Sequence, residues 1–297
     1  METRLLRTFT ALARTGNFTA TAAELQLAQS TVTVQIRALE RALGTRLFDR
    51  LAKGALLTST GQRLLTLAED VLWAESQLYA GATEDGLVAG TVTVGASETL
   101  CSAHLPGVIA ALRSLHPDVD VHLQPASTTV AVEALRAGRL DIALLLEDQV
   151  DFLDIIAEPI AHLPLVLLCS PDHPLAGQDR PVTWRQLAQE SFFLHEQGCS
   201  YSDRLATRLQ EVPGIRPRMT RFGSIEAARS CAAAGLGLTV LPRANAAEAL
   251  HCGRLTTVPG PTIPDVSVHL ARHRRRQPSR AAHAVAAQVT HHFQAGS

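Results

Sequence analysis

Residues 18 to 50, FTATAAELQLAQSTVTVQIRALERALGTRLFDR, decide how this chain is read. From Gln29 to Leu43 the apolar residues Val32, Ile36, Leu39 and Leu43 recur at helical spacing, a stripe that must face a core. The opposite side carries Ser30, Thr33, Val34, Arg37 and Arg41. Short side chains near the helix start allow close approach to a DNA groove, and arginine further along can reach a guanine edge or a phosphate. Phe18 to Leu27 predicts a shorter helix with Phe18, Ala22 and Leu25 inward and Thr19 or Thr21 as its cap. A first helix, about Glu2 to Arg14, adds Leu5, Leu6, Phe9 and Leu12 to the same core. Phe48 to Thr58 alternates well enough for a hairpin with Lys53-Gly54 at its tip. Together these elements predict an all-α winged helix-turn-helix, the two-helix motif at about residues 18–37. Gln29, Ser30, Thr31, Thr33, Val34 and Arg37 are the expected groove contacts. Arg50 and Lys53 are placed over phosphates or a neighbouring minor groove. Spacing alone leaves open a helical hairpin with an ordinary solvated face, because this geometry also occurs in proteins that bind no DNA.

A longer pattern narrows the choice. Ala22-Ala23 ahead of Leu25 is followed by Gln29-Ser30-Thr31-Val32-Thr33, then Gln35-Ile36-Arg37, Leu39-Glu40, Leu43-Gly44, Leu47-Phe48 and Arg50, then Leu57-Thr58 with Gly61. In register, this run closely resembles the N-terminal domain of LysR-type transcriptional regulators, and the rest of the chain is similar to that family too. The resemblance implies a homodimer or homotetramer on double-stranded, dyad-symmetric promoter DNA. It also implies a C-terminal effector domain of the two-lobed, type 2 periplasmic-binding-protein kind, with RNA polymerase as a further candidate partner. Family members commonly act on the region upstream of their own gene and its divergent neighbour. Two residues depart from the family pattern: Ala28 replaces a small polar residue, so the recognition-helix cap is missing or moved to Ser30, and Val34 stands where arginine is common. Valine cannot neutralise a phosphate but can touch a thymine methyl, so base preference should differ from that of relatives.

Charge placement agrees with a DNA head. The 297-residue chain has a net charge of -1, yet residues 1–63 hold nine Arg or Lys against four acids, and residues 64–90 hold five acids and no base. Positive potential is thus concentrated where phosphate attraction requires it. The length suits two or three domains. No stretch approaches the roughly 18 apolar residues of a membrane span, and METRLLRTFT lacks the apolar core of a secretion signal, so a cytoplasmic protein with no membrane partner is expected. Five widely spaced cysteines read as reduced thiols.

From Thr60 to about Tyr79, Leu64, Leu67, Val71, Ala74 and Leu78 recur at alternating three and four spacing. Such a seam predicts a partner helix, and we read the element as a dimerisation linker; the alternative is packing on its own C-terminal domain. Gly81, Gly86 and Gly90 are expected to end it in a flexible joint. The domain boundaries follow: 1–59 for the head, 60–88 for the linker, and 89–297 for an effector domain of two α/β lobes, 89–161 with 267–297, and 162–266. After Gly90 strands alternate with helices, the sign of a mostly parallel sheet, with crossover strands near residues 160 and 265.

Ligands in open α/β sheets bind beyond the strand ends, where helix N-termini present free N–H groups. Ser97, Glu98, Ser127, Thr128, Gly198, Cys199 and Ser224 occupy such junctions and are the expected effector contacts, suited to a small carboxylate or other anion. Taken singly, each is more simply explained as a helix cap; it is their convergence on one cleft that points to a ligand. No catalytic, metal or cofactor motif is found. His195-Glu196-Gln197-Gly198-Cys199 lacks the second histidine of a zinc protease, and Gly235-Leu236-Gly237 precedes a strand instead of opening a helix. Two other readings remain: a thiol redox sensor of the same family using Cys199, and a solute-binding protein of transport. The basic run Arg272 to Arg276 reads as a solvated loop before a terminal helix capped by Ser279.

Overall fold

The computed structural model describes residues 2–51, 54–82, 88–178, 180–195 and 197–295, with all of their side chains except those of residues 50, 51, 73, 76, 77 and 79–82. The chain divides into two compact units, Met1–Leu87 with Arg136–Arg139, and Val88–Leu135 with Leu140–Ser297. In the first, α1 (Thr3–Thr15), α2 (Phe18–Glu24) and α3 (Gln29–Leu43) precede a hairpin of β1 (Phe48–Leu51) and β2 (Gly54–Leu57), then α4 (Ser59–Ala82). Leu6, Phe9, Leu12, Ala22, Val32, Ile36, Leu39, Leu47 and Phe48 form its core, with Phe9 and Phe48 edge to face at 5.6 Å. Leu43, expected in that stripe, is exposed, because the helix ends there on Gly44 in a left-handed conformation and its last turn passes beyond the core. The cap of α2 is Asn17, whose Oδ1 accepts from the amides of Thr19 and Ala20 at 2.8 and 3.2 Å; Thr21, one of the expected caps, is buried and donates to the Asn17 carbonyl instead. Ala28 supplies no cap to α3.

The motif residues have structural work that sequence alone does not explain. Glu40 Oε1 accepts from the amides of Leu47 and Phe48 at 2.8 and 3.3 Å and so ties α3 to the wing. Thr58 Oγ1 donates to the Arg46 carbonyl and accepts from Gly61 N, both at 2.9 Å, opening α4. A Cβ on Gly61 would lie 2.2 Å from the Leu47 carbonyl oxygen. On α4, Leu64, Leu65 and Leu72 pack on the head core beside buried Ala68, and Glu75 accepts from Thr3 Oγ1 at 2.7 Å and from Arg7 at 3.0 Å. Leu64, expected in the seam, is half-buried against the head core. Leu67, Val71, Ala74 and Leu78 are exposed on the other side. The helix runs through Gly81 to Ala82, so Gly81 does not end it, and Gly86 lies outside the described residues.

The second unit has two lobes. The first holds a five-stranded sheet, order β4 (Val119–Pro125), β3 (Gly90–Ala96), β5 (Ile142–Leu146), β12 (Val266–His273), β6 (Ile155–Leu163). β3 is parallel to β4 and β5, but β12 is antiparallel to β5 and β6, so the sheet is mixed rather than mostly parallel. The reason is connectivity: the returning crossover strand β12 is inserted between β5 and β6 and runs against both, while β6 points the same way as β3, β4 and β5. β12 also takes in Arg272 and His273, so the basic run is partly strand. Around this sheet lie α5 (Glu98–Ala103), α6 (Leu105–Leu115), α7 (Thr128–Arg136) and α12 (Arg280–Ala295), the last opened by Ser279 Oγ accepting from Ala282 N at 3.0 Å. The second lobe has β7 (Leu165–Cys169) between antiparallel β10 (Thr239–Pro242) and β11 (Thr256–Thr257), and a parallel pair, β8 (Ser191–His195) with β9 (Arg218–Phe222). Its helices are α8 (Trp184–Gln189), α9 (Ser200–Gln210), α10 (Ile225–Ala233) and α11 (Arg243–His251). No helix among the described residues is long and apolar enough to cross a membrane.

One half-buried histidine is expected to make this unit acid-sensitive. His104 sits 4.7 Å from Phe293 and 5.7 Å from His292, its Nε2 buried without a partner among the described residues. Burial, helped by His292, holds its pKa down at about 4. Below its ordinary value the unfolded chain binds the proton first, so stability falls as the pH drops from about 6.5 to 4. Partial solvent screening leaves an effect of about 2 kcal/mol. His104→Leu should lose that much less stability than wild type between pH 7 and 4 in denaturant titrations; identical pH dependence would contradict the assignment.

Candidate DNA interface and effector cleft

The outward face of α3 is what the spacing predicts. Gln29, Ser30, Val34 and Arg37 are exposed, Val34 by 63%, while Thr31 and Thr33 are half-buried and the Thr33 hydroxyl donates back to the Gln29 carbonyl at 3.1 Å. The head arginines divide into two sets. Arg4, Arg7 and Arg14 pair with Glu2, Glu75 and Glu24. Arg37, Arg41 and Arg46 are exposed and make no ion pair among the described residues, which leaves their charge available for phosphate or base. Arg46 was not foreseen; its place three residues past the Leu43-Gly44 helix end, at the root of the wing, was the available signal. Arg50 lies on β1 with its side chain outside the description, and Lys53 lies outside the described residues.

A cavity of about 420 Å³ opens between the lobes, lined by six of the seven expected residues: Ser97, Glu98, Ser127, Thr128, Gly198 and Cys199. Ser224 does not line it. Its hydroxyl donates to Glu98 Oε1 at 3.1 Å, and Ile225 N donates to Glu98 Oε2 at 2.9 Å, so the α10 N-terminus already holds a carboxylate of the protein. His195 Nε2 lies 3.1 Å from the same oxygen. Glu98 thus spans both lobes. Other bonds cross beside it: Ser200 Oγ to the Leu146 carbonyl at 2.6 Å, Thr99 Oγ1 to the Tyr201 hydroxyl at 3.1 Å, and Asn245 Nδ2 to the Thr99 carbonyl at 2.9 Å.

The donors left for a ligand are fewer than the sequence suggests. Ser97 Oγ is buried without a partner among the described residues. The first amides of α7 have no acceptor within the helix, as at any helix start. Thr128 is engaged: its side chain hydrogen-bonds to Glu147, whose pKa burial raises and this bond lowers. Gly198 N donates to Asp203 at 2.8 Å. Missed by sequence reasoning were His195 and the apolar wall of Leu144 and Leu146; His195 and Leu146 are the last residues of their strands, which was the signal. Burial, and then Asp203, push the Cys199 thiol up against the pull of hydrogen bonds from Ser202. All five cysteines are free.

Comparison with known proteins agrees with this architecture. Residues 3–62 match the family described as bacterial regulatory helix-turn-helix protein, lysR family, and residues 85–294 match the LysR substrate binding domain. The chain is 34% identical to the uncharacterized HTH-type transcriptional regulator YwqM of Bacillus subtilis over 92% of its own length and 93% of that protein. It is 31% identical to the HTH-type transcriptional regulator GltR of the same organism, covering 86% and 84%. Among solved structures, a full-length OxyR variant from Pseudomonas aeruginosa superposes with a TM-score of 0.76 at 24% identity, covering 97% and 94% of the two chains. Full-length CbnR, complexed with its target DNA, superposes at 0.70 and 24% identity over both whole chains. At that identity the structural likeness concerns the fold. With the helix-turn-helix and the substrate-binding domain both matched along nearly the whole chain, the protein belongs to the LysR family and is a DNA-binding transcriptional regulator with an effector-binding domain.

Proposed function

We propose that this regulator works as a homo-oligomer built on an α4 dimer, its two α3 helices reading the half-sites of a dyad-symmetric promoter in the cytoplasm. A small molecule in the interlobe cleft biases the arrangement of the lobes. The exposed stripe Leu67, Val71, Ala74 and Leu78 carries the oligomer reading, since an apolar seam at heptad spacing on a helix that already packs its other face calls for a second helix. Free, outward Arg37 supports the DNA contact. The protein binds and does not catalyse, in keeping with the relatives' description as transcriptional regulators. An acceptor group of the effector would take Ser97 Oγ and the first amides of α7. Ligand affinity that differs between lobe arrangements is what converts binding into a signal.

Arg37→Ala tests the DNA contact. Specific binding should weaken by about 1 to 3 kcal/mol with preference relaxed at one base position, since arginine in a major groove reads guanine bidentately. A uniform loss over all sequences would make Arg37 a phosphate contact, and unchanged binding would remove α3 from the interface.

A further inference from the structure

We propose that the cleft selects an α-amino acid or close analogue, an effector bearing a cationic ammonium beside its carboxylate, and that Glu98 makes the selection. The inference rests on the cleft being the effector site. Among the described residues lining the cavity there is no Lys or Arg, and the one carboxylate is Glu98. A purely anionic ligand would therefore bring a second negative charge into the same small space, with no Lys or Arg among the described lining residues to offset it. Helix N-termini can hold one carboxylate, but they do not remove repulsion from another.

Glu98 is also placed to receive a donor. Ser224 Oγ, Ile225 N and His195 Nε2 surround it from the second lobe, fixing its orientation. An ionised carboxylate accepts about four hydrogen bonds, so at least one site remains, and a third of the side chain (33%) is open. An ammonium has three donor protons and no acceptor, which matches that site. At the α7 side the requirement is reversed: the helix amides and the unpartnered Ser97 hydroxyl offer donors to a carboxylate. A zwitterion satisfies both sides and adds no net charge. A cavity of about 420 Å³ has room for it.

The test uses the full-length protein and the twenty proteinogenic amino acids, each beside its deaminated acid and its decarboxylated amine, by thermal shift and titration calorimetry. At least one amino acid should raise the Tm and bind about ten-fold or more tightly than both of its counterparts. Glu98→Gln keeps size and one acceptor oxygen, and should erase the preference over the deaminated acid. If that variant loosens the lobes, the ligand comparison on wild type still decides. A deaminated acid that binds wild type as tightly as its amino acid, the absence of any amino-acid shift, or an intact preference in Glu98→Gln each overturns the proposal. Ser97→Phe, which fills the cleft, separates this from the broader reading. Equal binding of acid and amino acid that Ser97→Phe abolishes refutes only the zwitterion. An amino-acid preference that survives both variants puts the ligand outside the cleft and refutes both.

Discussion

Val71→Glu is expected to yield a monomer that no longer holds promoter DNA. Val71 is 42% exposed at the middle of the Leu67, Val71, Ala74 and Leu78 stripe, with Leu72 and Glu75 on the opposite face occupied by the head. Packed on a second copy, the stripe would bury two or three large apolar side chains per helix, each contributing about 1.5 to 3 kcal/mol. Two glutamates facing each other across the seam remove that contribution and add like-charge repulsion. One head makes half the contacts, so affinity for a two-half-site fragment should drop by more than a hundred-fold while each head stays folded. Sedimentation showing an intact dimer would exclude the seam.

The second large effect is expected at Gly61. Alanine within a helix is ordinarily favoured over glycine by about 1 kcal/mol. Here a Cβ would lie 2.2 Å from the Leu47 carbonyl, which also accepts from Thr58 N at 2.9 Å, and 3.0 Å from Leu57 Cδ2. Both obstacles belong to the junction of wing and linker, and backbone cannot swing aside as a flexible side-chain end can. Overpacking of this kind costs about 3 kcal/mol, so it outweighs the helix propensity. Gly61→Ala should lower the protection of α1 and α3 amides in hydrogen exchange and leave the second unit unchanged. Equal or greater protection in the head would show that propensity wins.

Period carried much of this architecture. Val32, Ile36 and Leu39 at helical spacing, and Leu144 to Leu146 in an apolar run after a turn, mark their elements because burial on one or both faces constrains residue type at each position. α5, with the sequence ETLCSA, and α11, RANAAEALH, carry no such mark: one is short and the other alanine-rich, with little contrast between its faces. Leu64 continues the spacing of the seam yet packs on the head, because a stripe does not record where one neighbour ends and the next begins. In the cleft the junction residues were legible from strand ends, but their partners were not. Glu98 with Ser224, and Thr128 with Glu147, are pairings made by the tertiary structure, and they decide which hydroxyls remain for a ligand.

Two α3 helices, joined through α4, are proposed to read one symmetric site. DNA protection mapping on the region upstream of this gene tests it most directly. Two protected half-sites related by a dyad are expected, their centres a whole number of helical turns apart, both lost together in Val71→Glu. A single asymmetric half-site, protected equally by wild type and Val71→Glu, would contradict it.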